Sequence, residues 1–149
     1  MKRDDWRTPQ ELWNKLHKQY DFKMDCCAVR VNAKTPAYLS DFADFGFVNV
    51  MSWMNPPFSK AYEMFDLFLS RVWKGVAIYR ADNMETKVWQ MILSKADWVH
   101  FFPYRVKYEG HEGESPRFPS ALIGLNVDFP KDLEGHTIKL RSVNKDVKE

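Results

Sequence analysis

Val48-Asn49-Val50-Met51-Ser52-Trp53-Met54, followed directly by Asn55-Pro56-Pro57-Phe58, decides how the chain is read. The first seven residues are apolar and partly β-branched, and read as a strand. Two consecutive prolines stop it, because each fixes φ and neither carries an N–H for a ladder. The outcome is a stiff turn at the carboxyl end of a strand.

Working outward from that turn, residues 61–73 carry Met64, Phe65, Phe68, Leu69 and Val72 at helical spacing, with Gly75 as the expected stop. Residues 76–79 form a short apolar run, read as a buried strand. A helix is expected over 85–95, a strand over 98–102 and another over 121–127. On the amino-terminal side, residues 22–25 read as a short strand. Thr8-Pro9-Gln10-Glu11-Leu12-Trp13 opens a helix, with Thr8 as its cap, Pro9 in the first turn and Glu11 completing the capping pattern. Strands alternating with helices predict an α/β domain with a mostly parallel sheet flanked by helices. Ligands of such sheets sit beyond the carboxyl ends of the strands, where Asp25 and Asn55-Pro56-Pro57-Phe58 fall. The domain is expected over residues 1–130. A charged tail over 131–149 is expected to pack poorly.

The bulk properties bound the reading. A chain of 149 residues suits one domain with a core of its own. A net charge of +2 gives no general nucleic-acid signal and leaves room for a local basic patch. The two cysteines, Cys26 and Cys27, are adjacent and read as small packing residues of a reducing compartment. The four histidines show no zinc-site spacing, so no metal is expected. No apolar run reaches membrane-spanning length, and the amino terminus does not read as a signal peptide. A cytoplasmic protein is expected.

The turn itself suggests chemistry. An exocyclic amine on an aromatic ring is a poor nucleophile, because its lone pair is delocalised. A site that methylates it must hold both N–H bonds with fixed acceptors. Asn55 offers a side-chain oxygen and Pro56 a carbonyl, Pro56 and Pro57 make the turn rigid, and Phe58 offers a flat face for an extruded base. A direct methyl displacement draws most of its rate from positioning, so no nucleophilic role falls to either cysteine.

Four blocks in order extend this reading: residues 6–13 (WRTPQELW), residues 22–28 (FKMDCCA) with Asn32-Ala33-Lys34, residues 53–58 (WMNPPF) and residues 117–122 (RFPSAL). Together they resemble the phage-type DNA N6-adenine methyltransferases, the Dam family. The resemblance implies a reduced Rossmann-like methyltransferase fold, S-adenosylmethionine as donor, adenine in DNA as acceptor, and a phage or prophage origin in a bacterial host cytoplasm. It implies that Asn55, Pro56, Pro57 and Phe58 bind and activate the adenine, and that Thr8 and Pro9 lie at the methionine end of the cofactor. Asp25 faces the cofactor with Cys26 beside it, and either Asp41 or Asp44 accepts the ribose hydroxyls. Three departures stand out. The turn after the first strand lacks glycines. Residues 29–47 are too few for two further strand–helix units, so a smaller sheet is expected. Where the family tends to have an apolar strand and a Pro-Ala-Arg-like turn, this chain has Ile78-Tyr79-Arg80-Ala81-Asp82-Asn83.

Arg80, Arg105, Lys107 and Arg117 are the candidate DNA contacts, and the loop around residues 109–118 is the candidate lid or recognition element. Two alternatives remain: an amino-methyltransferase acting on cytosine N4 or a protein amide, and a catalytically silent module that binds DNA or protein.

Overall fold

The computed structural model describes residues 6–110 and 118–141. The described elements run α1 (Gln10–Tyr20), β1 (Met24–Asp25), β2 (Val48–Met54), α2 (Ala61–Arg71), β3 (Val72–Arg80), α3 (Lys87–Lys95), β4 (Trp98–Phe101), β5 (Ser120–Leu125) and β6 (His136–Lys139), with short 3-10 turns at Phe42–Asp44 and Phe58–Lys60. They build one six-stranded sheet in the order β1-β2-β3-β5-β4-β6.

The expectation of a mostly parallel sheet is corrected. β1 pairs with β2, and β2 with β3, in parallel; the pairings β3–β5, β5–β4 and β4–β6 are antiparallel. The reason lies in β5. It returns from β4 and inserts between β3 and β4, so its six residues are buried by neighbours on both sides. A continuously apolar strand shows that it is central, but not which way it runs. Gly124 makes the insertion possible: it pairs with Trp98, and a Cβ there would overlap the indole ring.

Alternation along the strands splits the core into two layers. Trp53, Val76, Ile78 and Leu122 face α1, where Leu12, Trp13 and Leu16 meet them. Met54, Ala77, Tyr79 and Ile123 face the opposite way, toward Phe65 and Phe68 of α2 and Trp89 and Ile92 of α3. The aromatics are therefore mostly core. Trp13 stacks on Trp53 at 6.1 Å, and the Trp89 indole N–H donates to the Arg80 carbonyl at 3.0 Å.

Three local expectations change. Gly75 does not end a helix. α2 stops at Arg71 and β3 starts at once at Val72, placing Gly75 inside β3 opposite Ser52, whose carbonyl a Cβ would overlap. Thr8 does not cap α1. Pro9 holds the cap position without a side-chain bond, and Glu109 accepts the Gln10 N–H at 2.9 Å instead. The charged tail is not wholly unpacked, since His136–Lys139 pairs along β4. The short connection between β1 and β2 behaves as expected. It forms no further strand–helix unit, and residues 37–39 lie along β1 through Asp25 N–H to Ala37 O (3.1 Å) and Leu39 N–H to Asp25 O (2.8 Å). No helix among the described residues is long and apolar enough to cross a membrane.

Candidate active site

Parallel pairing of β1 with β2, in the register Asp25↔Trp53, brings Asp25 and Asn55 to the same sheet end. A cavity of about 640 Å³ opens there, a size typical of small-molecule sites, which run roughly 300–1,000 Å³. Its walls come from residues 6–8, the loops after β1, the turn after β2 and the first turn of α2.

Asn55 has both amide hydrogens engaged. Its Nδ2 donates to the Trp6 carbonyl at 2.7 Å and to the Thr8 Oγ1 at 3.1 Å. A backbone carbonyl only accepts, so the amide orientation is fixed by chemistry: nitrogen toward Trp6, oxygen away from it. Among the described residues nothing donates to Asn55 Oδ1, and nothing donates to the carbonyl of Pro56. The Pro57 carbonyl is occupied by the Lys60 N–H at 3.0 Å. Two acceptors without a donor among the described residues thus stand on consecutive residues, on a backbone stiffened by Pro56 and Pro57. Acceptors in such settings normally find donors, so the pair suits an incoming group with two N–H bonds.

Phe58 is half-buried, so the flat face expected of it is not open to solvent as it stands. Trp6 lies nearly parallel to it at 6.3 Å, while Tyr79 and Phe118 meet it edge-on at 5.8 and 5.3 Å. The Arg80 guanidinium sits 5.3 Å from the Phe58 ring and 4.6 Å from that of Phe118. Asp82 holds that guanidinium through two bonds of 2.7 Å.

Asp25 is 3% exposed and lines the cavity. Its oxygens accept the Lys34 N–H at 2.9 Å and the Cys27 N–H at 3.3 Å. Burial pushes its carboxyl up to about 6; the Lys34 and Cys27 amides oppose the shift without cancelling it. Cys26 and Asp41 also line the cavity, whereas Pro9 and Asp44 do not. Asp44 is hydrogen-bonded with Asp41, which holds its carboxyl above the usual value. Burial pushes the Cys26 thiol up to about 12, and that of Cys27 upward as well, so neither supplies a thiolate. A buried carboxylate, a second carboxylate at Asp41 and apolar walls from Leu39, Phe42 and Met64 suit a ligand with a cationic end, hydroxyls and an apolar ring.

Other expected residues are dispersed. Arg105 and Lys107 are exposed on the loop after β4. Arg117, and the stretch from His111 to Glu114 at the centre of the expected lid, lie outside the described residues. The sequence reading did not single out Trp6, Lys60, Glu63 or Met64 as cavity residues. The signal was present for the last three, because a helix beginning just after the Asn-Pro-Pro turn must direct its first turn at the same sheet end. It also missed Glu109, whose backbone pairs with Arg7 in both directions at 2.8–2.9 Å and ties residues 6–8 across the site.

The family profile described as DNA N-6-adenine-methyltransferase (Dam) matches residues 1–109. No curated protein matches the chain. The matched span contains the first three sequence blocks, both cavity-lining strand ends and the Asn-Pro-Pro-Phe turn; the fourth block lies beyond it. The chain belongs to the DNA N-6-adenine-methyltransferase (Dam) family.

Proposed function

We propose that the chain methylates the N6 amino group of adenine in DNA, with S-adenosylmethionine as donor. One observation carries the reading: Asn55 Oδ1, on a residue that lines a cavity of about 640 Å³, and the neighbouring Pro56 carbonyl accept from none of the described residues. The two acceptors accept hydrogen bonds from the two N6 hydrogens and hold the amine so that its lone pair points at the donor; transfer would form the N–CH₃ bond as the S–CH₃ bond breaks, with one N6 proton released to solvent. Pro56 and Pro57 keep both oxygens in place without reorganisation, which is how fixed dipoles lower a barrier. When bound, the cofactor supplies a methyl group activated by a positive sulfur. Asp25 holds the cationic end, Asp41 accepts from the ribose hydroxyls, and Leu39, Phe42 and Met64 cover the apolar ring. Phe58 stacks the extruded base. Arg105, Lys107 and Arg117 contact phosphate.

The test is incubation of the protein with unmethylated DNA and S-adenosylmethionine, followed by digestion and mass spectrometry of the bases. N6-methyladenine that vanishes with Asn55→Ala is the expected outcome. N4-methylcytosine would move the acceptor to another amine. Absence of both methylated bases, with the cofactor bound, would overturn the reading.

A further inference from the structure

We propose that Thr8 is a positioning residue for Asn55: the Trp6 carbonyl sets the amide orientation, and the Thr8 hydroxyl oxygen holds the second amide hydrogen and so fixes the rotation that presents Asn55 Oδ1 to the acceptor amine. The inference rests on the adenine reading above and assigns Thr8 a task other than cofactor contact or helix capping.

Thr8 is 1% exposed. Its oxygen is not spent on α1, since no side-chain cap bond exists there and Glu109 serves the Gln10 N–H. It accepts instead from Asn55 Nδ2 at 3.1 Å, across 47 residues of sequence. An amide can rotate by half a turn at no cost to its shape, exchanging a donor for an acceptor. For Asn55 that exchange would be ruinous. It would set an NH₂ against the N–H bonds of the substrate and an oxygen against the Trp6 carbonyl. The Trp6 carbonyl, which can only accept, opposes the flip, and the Thr8 oxygen, holding the second hydrogen, restricts rotation. The strap that carries them is itself fixed, because Arg7, between Trp6 and Thr8, pairs in both directions with Glu109.

The experiment compares wild type, Thr8→Val and Thr8→Ser by two readouts. The first is hydrogen exchange of the Asn55 side-chain amide by ¹H–¹⁵N NMR, which needs no turnover. Both hydrogens are expected to be protected in wild type and in Thr8→Ser, and one to lose protection in Thr8→Val. Rapid exchange of both in wild type would overturn the proposal without any variant, and so would an unchanged pair in Thr8→Val. The second readout is steady-state methylation of adenine. Thr8→Val is expected to lower kcat about five- to tenfold, the worth of one neutral hydrogen bond, with KM for S-adenosylmethionine within about twofold of wild type; Thr8→Ser restores kcat. A rise in KM alone would assign Thr8 to the cofactor instead. A Thr8→Ser enzyme as slow as Thr8→Val would show that the methyl group matters and not the hydroxyl. Wild-type protein that makes no methyladenine but keeps both amide hydrogens protected would sink the adenine reading and leave the orienting contact standing.

Discussion

Two regions meet at residues 55–58, and they are prepared to different degrees. The cavity beside Asn55 is open, at about 640 Å³, and its walls are held by backbone bonds between Asp25 and Ala37 and Leu39 and by the Lys34 N–H on the Asp25 carboxylate. The ring of Phe58 is instead packed among the chain's own groups, with Trp6 stacked on it and Tyr79, Phe118 and Arg80 around it. A small molecule can enter the first region as it stands. A base that stacks on Phe58 must displace a ring or a guanidinium. On the proposed reading, the side that takes the methyl donor is open as it stands, while the side that takes the base would be completed by the DNA. Extrusion of a base costs a few kcal/mol, and the contacts it replaces here are individually weak, of order 1 kcal/mol for a ring pair or a cation over a ring.

The Asn55 side chain belongs to both regions, and its removal is expected to have the largest effect. Asn55→Ala deletes one of the paired acceptors while leaving Asp25, Asp41 and the apolar walls. Methylation is expected to fall by about 10²–10³-fold, the scale for losing a preorganised polar group in a transition state. Affinity for S-adenosylmethionine, measured by calorimetry without DNA, is expected to stay within about twofold. A loss of cofactor affinity as large as the loss of rate would mean that the two regions are one.

The next largest effect concerns the donor side alone. Burial holds the Asp25 carboxyl up at about 6 in the free protein, against an ordinary value of 3.8. A cationic ligand binds the ionised form, so the proton competes with it below that value. Cofactor affinity is expected to rise about tenfold between pH 5 and pH 7 and then flatten, and Asp25→Asn is expected to remove the slope. Stability of the free protein carries the opposite sign. Between 3.8 and about 6 the folded state holds more protons than the unfolded one, so the contribution of Asp25 declines as pH rises through that window. A pH-independent affinity would assign Asp25 to bracing the loop through Lys34 and Cys27.

Much of the cavity was legible in the sequence, because it is made of strand ends. The apolar run 48–54 and the double proline located Asn55, and the short strand before Cys26 located Asp25. Once β1 and β2 pair in parallel, both must lie at one sheet end. The aromatic cluster around Phe58 was less legible, for physical reasons. Trp6, Phe58, Tyr79 and Phe118 come from four separate stretches, and only tertiary packing joins them. The hidden variable was the direction of β5: antiparallel insertion beside β3 aligns Arg80 with Ser120, two residues from Phe118. Capping chemistry also misled, because Thr8 before a proline reads as a cap whether its hydroxyl turns to its own helix or to a side chain 47 residues away.

Arg80 gives the smallest expected effect and the finest distinction. As a basic residue near the site it was a candidate phosphate contact, yet Asp82 pairs with it through two bonds of 2.7 Å and the guanidinium covers Phe118 and Phe58. A cation neutralised at that range has little left to offer a phosphate, whereas a cover over aromatic faces competes with a base for them. Arg80→Ala is therefore expected to lower KM for DNA by about two- to fivefold, the scale of one exposed cation–π contact, with an unchanged salt dependence. A phosphate contact predicts the reverse: weaker binding, with the slope of affinity against salt reduced by about one. The second outcome would also undo the contrast between an open donor side and a covered acceptor side, because Arg80 would then be waiting for DNA and not standing in its way.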